Sequence, residues 1–191
     1  MNRKRSFGGF IRLSWAIYLA GSTTVGAQTK WRLCRSLRDI FLGLRASRNR
    51  RISEETQRDL KSVTGAHSAI LDAFATDGEG AQYDMEVQRG EDLDPLRFRF
   101  YGSAMDLDFL KAGADYADLP RHWVVVVLER DSDGSRRATR AYSYAEERDG
   151  TPFCNGTRFL YVNASYRGND ELGSLMADFC ESDPSKIEDD L

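Results

Sequence analysis

Residues 69–88 constrain the fold of this chain more than any other stretch. They read Ala69-Ile-Leu-Asp72-Ala-Phe-Ala-Thr-Asp-Gly-Glu-Gly80-Ala-Gln-Tyr-Asp84-Met-Glu86-Val-Gln88. Two apolar, strand-like patterns flank an Asp77-Gly-Glu-Gly80 turn signal, which predicts a β-hairpin. The two-residue strand period puts Asp84, Glu86 and Gln88 on one face of the second strand. The place of Asp72 depends on the loop. A four-residue loop, Asp77 to Gly80, sets Asp72 opposite Met85, on the other face. A five-residue loop with a glycine in a bulge sets it opposite Glu86.

An acid on one strand and an acid-x-amide on its neighbour suit Mg²⁺-assisted cutting of phosphodiesters. That reaction needs an activated water and a neutralised transition state. One or two Mg²⁺ ions supply both, held by few carboxylates plus phosphate oxygens. Asp72 and Glu86 are the expected catalytic metal ligands, for Mg²⁺ or Mn²⁺. Gln88 is the expected third catalytic residue, orienting water or phosphate; an amide is no general base. Asp84 is a further acid on the same face. The same spacing also fits the solvated side of an ordinary hairpin.

The length of 191 residues suits one domain with a tail. The net charge of −3 is very unevenly spread. Through Arg51 there are 12 Lys/Arg and one acid, Asp39, whereas the remainder has 15 basic and 29 acidic residues. Such asymmetry predicts that the basic part meets a polyanion. The alternative is a solvated basic leader. The three cysteines, Cys34, Cys154 and Cys180, form no C-x-x-C pair. A disulfide framework and a structural zinc site are therefore disfavoured, and a reducing cytoplasm is the expected setting. His67 and His122 have no zinc-ligand spacing. Phosphate-loop, nucleophile-elbow and H-E-x-x-H motifs are absent.

Residues 1–30 read as an atypical basic leader, disordered or signal-like. Asn2 to Arg5 is basic, Phe10 to Ala20 is mostly apolar, and Val25-Gly-Ala27 resembles a cleavage site. The apolar run is broken by Arg12 and is too short to span a membrane. Secretion is the minor alternative. Leu33, Leu37, Ile40, Phe41 and Leu44 predict an amphipathic basic helix. Ser53 starts a further short element. Pro95 opens a helix with Leu96, Phe100, Met105, Leu107 and Leu110 as apolar positions, ended by Gly113. Arg97, Arg99 and Tyr101 lie near its start. Trp123 to Leu128 reads as a central strand buried on both faces. Strands at Ala138–Tyr144 and Arg158–Asn163, a helix from Asn169 to Phe179, and an acidic tail at 181–191 complete the pattern. A hairpin, a crossover helix and a buried strand make an α/β sheet.

These residues resemble a known family, the PD-(D/E)XK nuclease family transposases, close to the recombination-promoting nucleases of bacterial mobile elements. The resemblance runs from about Cys34 to Phe179, within an expected domain of residues 31–180. It rests on Glu55 to Lys61, Leu71 to Gly78 and Tyr83 to Arg89. Arg97-Phe-Arg99-Phe-Tyr101, Gly113 to Pro120 and Phe159 to Asn163 follow in the family's order. The resemblance implies an α/β, restriction-endonuclease-like mixed β-sheet core flanked by helices. It implies Mg²⁺-dependent DNA endonuclease activity, with Asp72 and Glu86 as the first and second acids. Gln88 falls where many members carry lysine. Arg97, Arg99 and Tyr101 fall on the following helix as expected DNA-binding residues, and no base-reading module predicts sequence specificity. Two departures accompany it. The acidic first helix of the group has no counterpart in residues 1–30, and Gly102 stands where glutamine is common. A truncated, non-catalytic DNA-binding remnant is the competing reading.

Overall fold

The computed structural model describes residues 53–60 and 69–180, with side chains from Ala73 onward. Strands β1 (Ser53–Leu60), β2 (Ala69–Thr76) and β3 (Gln82–Gln88) precede helix α1 (Pro95–Phe109). Strands β4 (His122–Leu128), β5 (Thr139–Tyr142) and β6 (Thr157–Asn163) follow, then helix α2 (Glu171–Cys180). The strands form one six-stranded sheet in the order β1-β2-β3-β4-β6-β5. It is mixed: β3, β4 and β6 run parallel, and β1–β2, β2–β3 and β5–β6 pair antiparallel. The architecture is thus mixed α/β.

The hairpin between β2 and β3 takes the longer of the two expected loops. Thr76 pairs with Gln82, which leaves five residues between them. The Asp77 carbonyl accepts from Gly80 N at 2.9 Å, and Asp77 N donates to the Ala81 carbonyl at 2.9 Å. Gly80 has φ 83, the left-handed conformation glycine adopts at no steric cost. A tight turn followed by a left-handed glycine is the usual short hairpin with a bulge. The Asp77 carboxylate fixes it, accepting from Glu79 N at 2.9 Å and Ala81 N at 3.0 Å. Ser53 opens a strand that pairs along β2 although its sequence, SEETQRDL, is polar up to its last residue, Leu60.

Helix α1 starts where the sequence predicts. Asp94 is its N-cap, accepting from Leu96 N at 3.0 Å and Arg97 N at 3.2 Å, and Pro95 takes the first turn. Its buried stripe differs from the expected one. Phe98, Tyr101, Gly102, Ala104 and Met105 are buried. Leu96 and Leu107 are 65% and 62% exposed. The i, i+3, i+4, i+7 set is therefore Phe98, Tyr101, Gly102 and Met105. Beyond Met105 the helix has little left to bury, and it ends at Phe109, four residues before Gly113. Leu110 N closes it on the Asp106 carbonyl at 2.9 Å.

Strand β4 lies between β3 and β6, parallel to both, and Val124 to Leu128 are all buried. A β-branched apolar run suits a strand covered on both faces. One face meets α1: Phe74, Val124, Val126, Leu128 and Tyr161 cluster with Phe98, Tyr101, Ala104 and Met105.

The chain divides into two compact units, Ser47–Asn163 and a second made of Met1–Ala46 with Ala164–Leu191. The sheet and α1 belong to the first. In the second, α2 buries Leu172, Leu175, Met176 and Phe179, the face its spacing predicts. The expected leader, the basic helix at 33–44 and the acidic tail lie outside the described residues. Among the described residues no helix is long and apolar enough to cross a membrane.

Candidate functional site

Strand β3 carries its acids into the core. Asp84 pairs in register with Phe74, and Glu86 with Val126. Phe74 and Val126 both belong to the cluster under α1, so the acids share that face. Asp84 is 0% exposed and Glu86 1%. A solvated hairpin face, the bland reading of this spacing, is therefore not what the acids form. Burying a carboxylate costs several kcal/mol unless a cation or hydrogen bonds compensate it.

Arg97 supplies one such cation from the first turns of α1. Its Nη2 donates to Glu86 Oε2 at 3.3 Å. Its Nε donates to Tyr101 Oη at 2.7 Å, one helical turn on, and its guanidinium stacks on the Tyr101 ring at 5.2 Å. The Arg97 side chain is 46% exposed and that of Glu86 only 2%. The pair thus joins a buried acid to a solvent-reaching cation.

Tyr101 reports on this environment. Burial pushes its pKa above 10.0, and the negative charge of Glu86 pushes it further. The neutral phenol is favoured in the fold. Its contribution to stability is present in full below about pH 10 and is lost as pH rises through the folded value. Glu86→Gln removes the charge that opposes ionisation. Tyr101 is then expected to titrate earlier in a tyrosinate absorbance titration, with Tyr101→Phe identifying its transition. An unchanged transition would contradict the Glu86–Tyr101 proximity.

A second polar pair lies nearby. His122, 2% exposed, faces Asp106 of α1, with its Nδ1 3.1 Å from Oδ1. In register it stands beside Gln82, one strand step from the Asp84–Val124 pair. Its Nε2 points at the helix backbone: a Cβ on Gly102 would lie 3.1 Å from it. Glycine at 102 and the buried histidine therefore go together, and any side chain there would need the ring to give by a few tenths of an ångström. The sequence flagged His122 only as an isolated histidine. Its one local signal is a polar residue opening an apolar strand.

The remaining expected residues fall in different places. Asp72 lies in β2, and the β2–β3 pairing reaches Ala73–Met85. Continued by one residue, that register sets the Asp72 position across from Glu86. Its side chain lies outside the described residues. Gln88 is half-buried at the end of β3, where its carbonyl accepts from Glu129 N at 3.1 Å. Arg97 and Tyr101 stand on the Glu86 side of α1. Arg99 is exposed and lines a separate groove beside Phe98. The structure brings together Glu86, Arg97 and Tyr101, and sets Arg99 apart. Among the described residues no group of three or more His, Cys, Asp or Glu is gathered to hold a metal. Mg²⁺ needs fewer: one or two carboxylates, with water and phosphate oxygens filling the rest.

No protein-family model, curated protein or solved structure matches this chain.

Proposed function

We propose that the chain is a Mg²⁺-dependent DNA endonuclease of the PD-(D/E)XK, recombination-promoting type, with a restriction-endonuclease-like core and a cytoplasmic setting. The observation that carries the reading is the hairpin register. Continued one residue beyond the Ala73–Met85 pair, it sets the Asp72 position across from a carboxylate that is only 1% exposed. A chain that buries acids on one sheet face departs from good packing there, and such departures concentrate at functional sites.

In this reading Asp72 and Glu86 hold the divalent ion, Mg²⁺ or Mn²⁺. When bound, the ion activates water and neutralises charge on the cleaved phosphodiester. The carboxylate oxygens of this donor set suit a hard cation. Gln88 orients the attacking water or a phosphate oxygen. Arg97, nearly half exposed on a flexible stem, compensates Glu86 without the ion and turns to the DNA phosphate with it. Such backbone contacts give affinity and salt dependence without reading sequence, so cutting has low sequence specificity.

The competing reading is a non-catalytic DNA-binding remnant of the same family. The Glu86–Arg97 pair favours it, since a guanidinium already neutralises the acid. Calorimetric titration of the full chain with Mg²⁺ separates the two. The nuclease reading expects saturable binding that Glu86→Gln abolishes. Arg97→Ala is expected to tighten Mg²⁺ binding and weaken DNA binding, because the competing cation and the phosphate contact are lost together. No saturable binding by the unaltered chain would favour the remnant.

A further inference from the structure

Helix α1 serves two places. Arg97 reaches Glu86, while Arg99 lines a groove of about 340 Å³ on the other side of Phe98. The groove is bounded by α1, β4, β6, β5 and the segment after β5. Its floor is the core side of Phe98 and Tyr161, with Phe159 half-buried beside them, and its open walls are Tyr142 and Tyr144. Tyr142 pairs in register with Phe159 across the sheet edge. Tyr142 and Tyr144 remain 44% and 43% exposed. Aromatic surface gathered in a concavity and left open to water marks a binding surface.

Charge narrows the occupant. Arg99 is exposed and has no carboxylate partner among the described residues. Arg140, by contrast, stacks on Tyr161 at 4.4 Å and is held by Asp133 and Ser132. The groove thus offers the exposed rings of Tyr142 and Tyr144 and, from Arg99, a guanidinium without a carboxylate partner among the described residues. An apolar peptide would cover the rings and leave that charge unanswered. A nucleotide answers both, with its base against the rings and its phosphate against Arg99.

We propose that this groove takes an unpaired nucleobase of single-stranded DNA, with the adjoining phosphate on Arg99. The proposal rests on the nuclease reading and deepens it, naming single-stranded or locally melted DNA as the form the site engages. A base inside a duplex is already stacked and cannot enter. Arg97 then stands at the cutting site, and Arg99 at the phosphate beside the unstacked base.

The test is fluorescence anisotropy on the full chain in EDTA, with a labelled oligo-dT and a duplex of the same length. The unaltered chain is expected to prefer the single strand. Tyr142→Leu and Tyr144→Leu each lower oligo-dT affinity by about 5- to 150-fold, the range for one stacked base, and the preference is lost. Arg99→Ala, a change at an exposed position, weakens binding and reduces its salt dependence. Ring variants that bind oligo-dT like the unaltered chain would overturn the proposal, as would an unaltered chain that does not bind it. Plasmid nicking in Mg²⁺ separates this from the parent reading. Ring-dependent oligo-dT binding without nicking sustains the groove and removes the nuclease. Nicking with ring-independent binding does the reverse.

Discussion

Glu86→Gln is expected to lower Mg²⁺-dependent nicking of plasmid DNA by about 10³-fold or more. The magnitude follows from the several kcal/mol that a correctly held metal contributes to the transition state, at about 1.4 kcal/mol per tenfold. The substitution isolates the charge. Glutamine has nearly the volume of glutamate, so a site only 1% exposed gains no cavity. Losing a buried charge removes a desolvation cost, and Arg97, with a 46% exposed side chain, can turn to water. Stability is therefore expected to change little while cutting disappears. Glu86→Ala would confuse the two by opening a void. Asp72→Asn is expected to act in the same direction. Unimpaired cutting by Glu86→Gln would remove Glu86 from the metal site.

Phe98→Ala is expected to cost about 3–5 kcal/mol of stability, the range for emptying a buried aromatic position. Phe98 is 4% exposed and sits in the cluster that joins α1 to Phe74, Val124, Val126 and Tyr161. Against a typical domain stability of about 5–15 kcal/mol this is a large fraction. Thermal unfolding by circular dichroism should show the midpoint falling by about 6–20 °C. Leu96→Ala, at a position 65% exposed, should stay within about 0.5 kcal/mol. The contrast tests which side of α1 is packed. Equal losses at the two positions would contradict the observed stripe. The same experiment bears on the site, because the packing that holds Phe98 also fixes Arg97 over Glu86 and Arg99 in the groove.

That stripe shows where the sequence was readable and where it was not. The start of α1 was legible, since Asp94 and Pro95 act through local hydrogen bonding and a fixed φ. Its face was not. Apolar and aromatic residues occur on several sides of the helix, and the side that packs is chosen by the sheet beneath and by Gly102, which admits the His122 ring. Strand β4 was legible because six apolar residues in a row fit a doubly covered strand. Strand β1 was not, because SEETQRDL has no apolar alternation and forms its strand by pairing along β2. The hairpin was half legible. Gly80 marked the turn, but the loop length follows from the bonds Asp77 makes to Ala81.

The candidate site divides in the same way. Asp84, Glu86 and Gln88 share a face by strand period alone, so sequence could group them. The Arg97–Glu86 contact joins residues 11 apart through a crossover helix, and the Asp106–His122 contact joins that helix to β4. Both need the tertiary fold. Arg97 and Arg99 looked equivalent in sequence, yet two residues on a helix turn to different sides, and they serve different surfaces.

The most direct measurement is plasmid nicking by the unaltered chain and by the Asp72→Asn plus Glu86→Gln chain, prepared together and compared with Mg²⁺ and with EDTA. Nicking is expected from the unaltered chain in Mg²⁺, with none in EDTA and none by the double variant under either condition. Undiminished nicking by the double variant, or no nicking by an unaltered chain that is folded and binds DNA, would contradict the proposed nuclease site.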